Sequence, residues 1–273
     1  MSNSNYQKVT AATLLVALGI IYGDIGTSPL YVMKAIVGDR EISKMLVYGG
    51  ISCVFWTLTF QTTFKYIILT LRADNHGEGG VFSLYALIKR FGKGKLVIPT
   101  ILGATTLLAD GIITPPISVA SAVEGLEVLI PSLPTVPIVI AILSGLFLFQ
   151  RFGTQKVGFF FGPAMVVWFS MLLVLGISQI VIHPEILEAL NPMYAYRLLV
   201  EYPHGFWLLG AVFLCTTGAE ALYSDLGHCG RDNIRITWIF VKTALVVNYL
   251  GQGAWIMTQG SQFLEGRNPF YSI

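Results

Sequence analysis

Seven stretches of mainly apolar residues, separated by short polar loops, make up most of this chain. They cover residues 9–36, 46–71, 96–130, 136–149, 157–182, 206–226 and 234–258. A helix that spans a bilayer needs about 20 mostly apolar residues. The fourth stretch is short by that measure, and the third is long enough to be tilted or broken. The sequence therefore predicts an all-α integral membrane protein with seven spans.

Composition excludes several classes of function. Hydrophobic residues make up 54% of the 273 residues and charged residues only 12%, whereas soluble domains carry about 25% charged residues. The net charge of +2 is too small to indicate nucleic-acid binding. No pair of nucleophile and base is apparent, so we do not expect an enzyme. We interpret Cys53, Cys215 and Cys229 as packing residues and expect no cofactor.

Basic residues orient the predicted spans. Lys89 and Arg90 lie in the second loop, Arg231 and Arg235 lie in or next to the sixth, and the third loop has no lysine or arginine. Cytoplasmic loops carry the excess of basic residues. We therefore predict a multi-pass protein of the cell membrane with a cytoplasmic N-terminus and the lipid bilayer as its surroundings.

The first apolar stretch contains Gly-Asp-Ile-Gly-Thr-Ser-Pro-Leu-Tyr at residues 23–31. A charge at membrane depth costs about 2.5–3.5 kcal/mol on insertion scales, so Asp24 indicates a cation site. The glycines permit unwinding and Pro29 prevents continuous hydrogen bonding, which would aim freed carbonyls into the gap. Tyr31 adds a hydroxyl. The alternative is a structural kink with a protonated, hydrogen-bonded Asp24.

The third stretch places oxygen atoms at every fourth residue. Asp110, Thr114 and Ser118 would lie on one face of a helix, although Pro115 and Pro116 must disturb that helix. We expect a broken helix here. In the alternative interpretation, the two hydroxyls repair the break by bonding to carbonyls four residues earlier.

The sixth stretch contains Thr217 and an intramembrane acid, Glu220, among small residues. Leu-Tyr follows this acid and also follows Asp24, at residues 222–223 and 30–31. This weak internal symmetry is typical of transporters made from inverted repeats, whose broken helices occupy matching positions around a midplane site.

These motifs resemble those of the KUP/HAK/KT potassium uptake family. The resemblance rests on residues 22–31, on 72–75 with 77–80, on 113–115 with 117–118, and on 218–223 with 227–228. It implies proton–potassium symport on the LeuT-type fold of the amino acid–polyamine–organocation superfamily. It also implies that potassium coordination or proton coupling falls to Asp24, Tyr31, Asp110, Thr114, Ser118, Thr217 and Glu220.

The resemblance also sets an expectation for domain organisation. Similar proteins have about twelve spans and then a cytoplasmic domain, so we expect this chain to be a truncated form that is incomplete on its own. Residues 1–273 would form a single transmembrane domain. The first five-helix repeat would cover residues 9–182, and the first two helices of the second repeat residues 206–258. A homodimer is a candidate assembly for the full-length form.

The mechanism that follows is a hypothesis. Potassium prefers many oxygen ligands of modest field strength in place of its water shell. Asp24 or Asp110 would balance its charge, and Glu220 or Asp110 would carry the proton. Potassium and protons are thus cargo at broken helices 1, 3 and 6. Two alternatives stay open: an amino-acid or polyamine transporter of the same fold, and a non-transporting membrane subunit.

Overall fold

The computed structural model describes residues 8–90, 96–127, 130, 132–150, 154–260, 263–264 and 266–273. This part of the chain is helical, and its only strand-like feature is an isolated bridge between Asn75 and Glu78. The α-helices are α1 (Ala11–Ile21), α2 (Gly23–Thr27), α3 (Val32–Val37), α4 (Lys44–Thr57), α5 (Val81–Lys89), α6 (Val97–Glu127), α7 (Thr135–Gln150), α8 (Thr154–Ile182), α9 (Pro192–Glu201), α10 (Leu209–Phe213), α11 (Ala221–Ser224), α12 (Leu226–Cys229) and α13 (Arg231–Thr258). The predicted all-α class is confirmed. The predicted cytoplasmic N-terminus, residues 1–7, lies outside the described residues.

Tighter and wider helical turns connect these elements. 3-10 turns cover Ser28–Leu30, Thr70–Arg72, Pro184–Leu190, Gly205–Leu208, Leu214–Thr216 and Pro269–Ser272, and α4 continues as a π-helix over Leu58–Leu69. The first and sixth apolar stretches are therefore both interrupted, at the positions that their glycines predict.

Four described helices are long and apolar enough to cross a membrane. They are Val97–Glu127, Phe161–Ile182, Gly205–Ser224 and Arg231–Thr258; a fifth span is counted if the bent pair Ala11–Ile21 and Gly23–Leu30 forms one crossing. Thr135–Leu148 is a shorter apolar helix. The predicted second span corresponds to α4 and its π-helical continuation. An integral membrane protein is consistent with this set, and the count of seven spans stays a prediction.

The described chain divides into two compact units. The first unit contains Met1–Asp24, Thr63–Val166 and Gly218–Trp238, and the second contains Ile25–Thr62, Val167–Thr217 and Ile239–Ile273.

Tyr22 organises the interior of the first unit. Its side chain is fully buried, and its hydroxyl donates to the carbonyl of Ile234 at 2.9 Å and lies 2.9 Å from the Thr237 hydroxyl. Its ring stacks on Trp238, with ring centroids 6.3 Å apart. Thr13 donates to Asn233 at 3.2 Å from the same side. The end of α1 is thus fixed against the first turns of α13.

Small residues allow close helix packing in the second unit, as is typical of membrane helices. A Cβ atom on Gly49 of α4 would lie 2.5 Å from Cβ of Leu198 on α9. A Cβ atom on Gly251 of α13 would lie 2.6 Å from the Cα atom of Gly176 on α8. The backbones therefore approach more closely at these two crossings than any larger residue would permit.

The expectation that the third helix is broken is wrong. Pro115 and Pro116 lie inside α6, which continues as an α-helix over 31 residues. The two prolines remove only the hydrogen bonds that their own nitrogens would donate, to the carbonyls of Gly111 and Ile112. Helix on both sides of this short gap preserves the winding.

Candidate cation site

Three carboxyl groups of the first unit lie within electrostatic range of one another. Asp24 lies in the first turn of α2, directly after the interruption at Tyr22. Its carboxyl group is within electrostatic range of Asp110 on α6. Glu220 precedes α11 and is within electrostatic range of Asp110 and of Asp24. We call Asp24, Asp110 and Glu220 the acid group.

Thr114 supports one member of the acid group. Its buried hydroxyl donates to the Oδ1 atom of Asp110 at 2.9 Å. By contrast, Thr105 and Thr106 on the same helix donate to the carbonyls four residues earlier. The proposed repair of the proline break by back-bonding therefore does not describe Thr114, whose hydroxyl orients the carboxylate.

The prolines of α6 contribute in a way that the sequence interpretation did not include. Since neither proline has an N–H group, the carbonyls of Gly111 and Ile112 have no helical donor. These carbonyls lie within one turn of Asp110 and Thr114. An unbroken helix can thus still contain backbone oxygens that accept no hydrogen bond from the helix itself.

The predicted site residues of the first unit differ in exposure. Asp24 is exposed, Asp110, Ser118 and Glu220 are half-buried, and Thr114 is buried. Ser118 lies one helical turn beyond Thr114 on the same face of α6. Within the described ranges, no group of three or more His, Cys, Asp or Glu side chains is arranged to hold a metal ion. A bound cation would therefore need oxygens other than carboxylates as well.

The second unit contains the other two predicted residues and brings two helix interruptions together. The 3-10 turn Ser28–Leu30 contacts the 3-10 turn Leu214–Thr216. Tyr31 ends the first turn and is buried, with 8% of its surface exposed. Thr217 ends the second turn with ψ of 130°, where the helix unwinds. The sequence predicts both interruptions but not their contact.

Side-chain nitrogens hold the carbonyls that the first interruption releases. These hydrogen bonds are Trp168 Nε1 to Gly26 O at 2.8 Å, Gln252 Nε2 to Pro29 O at 3.0 Å, and Asn268 Nδ2 to Leu30 O at 2.7 Å. The predicted carbonyls at the gap thus each have a protein donor. Each carbonyl retains one further lone pair.

Sequence reasoning missed these three donors. Asn248 and Gln252 are two amides four residues apart in the apolar stretch 234–258, a spacing that puts them on one helix face. This spacing could have predicted a polar face on the seventh apolar stretch. Trp168 and Asn268 have no such signal, because an isolated tryptophan or asparagine does not reveal its partner.

The loop at residues 72–80 packs against the end of the sixth stretch within the first unit. The Tyr223 hydroxyl donates to the carbonyl of Ala73 at 2.6 Å. A Cβ atom on Gly79 would lie 1.9 Å from the Tyr223 carbonyl oxygen, and one on Gly227 would lie 2.4 Å from the Glu78 carboxylate. The backbone contact therefore requires a glycine at position 79, whereas the flexible Glu78 side chain could move away from a Cβ atom at position 227.

The chain matches a known protein family over almost its whole length. Residues 11–273 match the family described as K+ potassium transporter, integral membrane domain. No solved structure matches the chain.

Individual relatives match over almost the whole chain. The chain is 63% identical to the "Probable potassium transport system protein Kup" of Cytophaga hutchinsonii, over 99% of this chain and 42% of that protein. It is 60% identical to the protein of the same name from Flavobacterium psychrophilum, over 98% of this chain and 42% of that protein. It is 49% identical to the "Probable potassium transport system protein Kup 2" of Lactococcus lactis, over all of this chain and 42% of that protein. The chain thus spans less than half the length of these relatives.

Proposed function

Because this chain belongs to the K+ potassium transporter family, we propose that it is part of a potassium uptake protein of the cell membrane. The observation that carries the proposal is the family match over residues 11–273. The acid group supports it from the structure, because three carboxyl groups near one another in membrane-spanning segments attract and neutralise a cation.

We propose that oxygen atoms of several types bind the potassium ion. A potassium ion exchanges its water shell for many oxygens of modest field strength. On α6, Thr114 and Ser118 supply such oxygens, and Asp24 or Asp110 supplies the balancing charge. Tyr31 and Thr217 lie in the second unit, and their part in potassium coordination or proton coupling stays a prediction from the family resemblance.

Proton coupling follows from the pairing of two acids. Glu220 and Asp110 lie within electrostatic range of each other, and two neighbouring carboxyl groups that repel as anions favour a state with one proton between them. We propose that this shared proton is the one transported. One potassium ion and one proton would together neutralise two of the three charges of the acid group.

The LeuT-type fold is part of the same proposal. Helix interruptions at Ser28–Leu30 and Leu214–Thr216 occupy the first and sixth apolar stretches. This is the arrangement expected when two repeats are related by inverted topology. The five-helix first repeat at residues 9–182 and the start of a second at 206–258 remain our assignment.

Rubidium uptake tests the transport proposal. Cells that lack their own potassium importers would express this chain alone, or this chain joined to the remaining length of the Cytophaga hutchinsonii relative. We expect uptake by the joined protein to increase when the external pH falls. Asp24→Asn should abolish uptake, whereas Asp39→Asn, at an exposed loop position, should not change it.

The same assay separates the alternative functions. If the joined protein instead takes up an amino acid or a polyamine, and excess rubidium does not reduce that uptake, a transporter of organic solutes would replace the potassium proposal. A joined protein that reaches the membrane but carries no ion at either pH would favour a non-transporting subunit. Normal rubidium uptake by the Asp24→Asn variant would contradict the proposal that the acid group binds the cation.

A further inference from the structure

Three buried side-chain oxygens in the second unit have no hydrogen-bond partner among the described residues. They are Ser28 Oγ, Tyr249 Oη and Gln252 Oε1. Ser28 and Gln252 are fully buried, and Tyr249 is 1% exposed. Leaving one buried polar atom unpaired costs about 1–3 kcal/mol, and most such atoms in folded proteins are paired. Three unpaired oxygens in one region indicate a ligand.

These oxygens converge on the first helix interruption. Ser28 begins the 3-10 turn, and Gln252 donates to the carbonyl of the next residue, Pro29. Tyr249 precedes Gln252 by three residues on α13 and so shares its face. The Tyr249 hydroxyl lies beside Ser28 and within electrostatic range of Tyr31, although the two hydroxyls are not in hydrogen-bond geometry.

A chain of hydrogen bonds fixes the direction of the Gln252 amide. Asn248 Nδ2 donates to the carbonyl of Leu172 at 3.2 Å, which leaves Asn248 Oδ1 as an acceptor. Gln252 Nε2 donates to this Oδ1 at 2.8 Å and to Pro29 O at 3.0 Å. The amide nitrogen of Gln252 is therefore fully used. Its oxygen is held as an acceptor that no protein group meets.

The donor set defines the ligand chemistry. The three unpaired atoms are two hydroxyl oxygens and one amide oxygen, which are uncharged and of modest field strength. Such oxygens suit a large monovalent cation, whereas transition metals prefer imidazole or thiolate ligands. We propose that Ser28, Tyr249 and Gln252 form a second binding site for a monovalent cation of the size of potassium, distinct from the acid group. The identity of the cation rests on the proposed function.

Thermal unfolding of the purified chain in detergent tests this site. The Tm would be measured in choline chloride and in increasing potassium chloride at constant ionic strength, since a ligand that binds the folded state raises the Tm. Tyr249→Phe and Ser28→Ala each remove an unpaired hydroxyl, so the Tm in choline should stay the same or rise. In each variant, the potassium concentration that gives half of the Tm increase should be about tenfold higher or more than in the unaltered chain. A tenfold change corresponds to the loss of about one ligand contact.

Thr62→Val is the matched control, because the Thr62 hydroxyl is also buried and unpaired in the second unit. This variant should need the same potassium concentration as the unaltered chain. Equal potassium dependence in Tyr249→Phe, Ser28→Ala and the unaltered chain would overturn the proposal. So would a lower Tm of both variants in choline with unchanged potassium dependence, which is the result expected if a buried water bridges the three oxygens.

Two outcomes distinguish this inference from the proposed function. A chain whose Tm does not respond to potassium overturns the second site, whereas the proposed function is overturned only if the joined protein takes up no rubidium. A response that Asp24→Asn abolishes, but that Tyr249→Phe and Ser28→Ala leave unchanged, supports potassium binding at the acid group and overturns the second site.

Discussion

The indole nitrogen of Trp168 donates to the carbonyl oxygen of Gly26 at 2.8 Å. This bond links α8 to the end of the first membrane stretch where its helical hydrogen bonding fails. It gives a released carbonyl a donor inside the protein, where water is not at hand to replace it.

Trp168→Phe should therefore destabilise the second unit. The ring remains, but the Gly26 carbonyl loses its donor, so we expect a loss of about 1–2 kcal/mol in the free energy of unfolding. Unfolding in mixed detergent micelles measures this loss. Trp207→Phe, at a side chain that is 78% exposed, should change it little. An equal loss in the two variants would show that tryptophan volume matters rather than the hydrogen bond.

Gly176→Ala should be among the most damaging single changes in the chain. The new Cβ atom would lie 2.4 Å from the backbone oxygen of Val247, and backbone cannot move aside as a side chain can. We expect a loss of about 3 kcal/mol, at the upper end for overpacking. Gly145→Ala on α7 meets nothing within 4 Å and should be neutral or stabilising by up to about 1 kcal/mol. Similar stability of the two variants would contradict the close crossing of α8 and α13.

Thr114→Val should impair transport more than folding. It removes the hydroxyl that donates to Asp110 while keeping the shape of the side chain. We expect rubidium uptake by the joined protein to fall about tenfold, the equivalent of one hydrogen bond. Thr114→Ser should retain most of the uptake. Thr105→Val, which loses only a bond to the backbone of its own helix, is the control, and it should transport normally.

Glu188 should make the second unit sensitive to acid. The hydrogen bond from Lys44 at 3.0 Å, and then that from Tyr194 at 3.0 Å, lower the pKa of Glu188. A carboxyl group whose pKa is lower in the folded state stabilises the fold above its ordinary pKa. This contribution is lost as the pH falls through the folded-state value.

The Tm of the unaltered chain should therefore exceed that of Glu188→Gln at pH 7, and the difference should disappear in acid. Because both partners of the ion pair are more than half exposed, 1 M salt should also reduce the difference. A difference in Tm between the two proteins that grows toward low pH would contradict the lowered pKa of Glu188.

Local sequence chemistry predicts where the membrane helices are interrupted. The glycines and Pro29 of the first stretch, and the small residues around Glu220 in the sixth, place both interruptions where the structure has them. These signals succeed because glycine and proline act on their own backbone. The same rule fails at Pro115 and Pro116, because stable helix on both sides tolerates two missing hydrogen bonds.

Pairing between distant residues could not be predicted in this way. Asp110, Thr114 and Ser118 share a helix face by spacing alone, but the approach of Glu220 to Asp110 depends on packing. The same holds for the hydrogen bond from the Tyr223 hydroxyl to the carbonyl of Ala73, which joins residues 150 positions apart. The roles of Tyr31 and Thr217 in binding an ion stay predictions.

The three donors at Gly26, Pro29 and Leu30 make the first interruption a permanent part of the architecture. Rewinding this segment into continuous helix would require all three bonds to be given up. In the straightened form the carbonyls would accept from helix N–H groups, and the side-chain nitrogens of Trp168, Gln252 and Asn268 would lose these acceptors. Straightening of the kink therefore requires these side chains to find new acceptors, so the shape of the kink is coupled to α8 and α13 within the second unit.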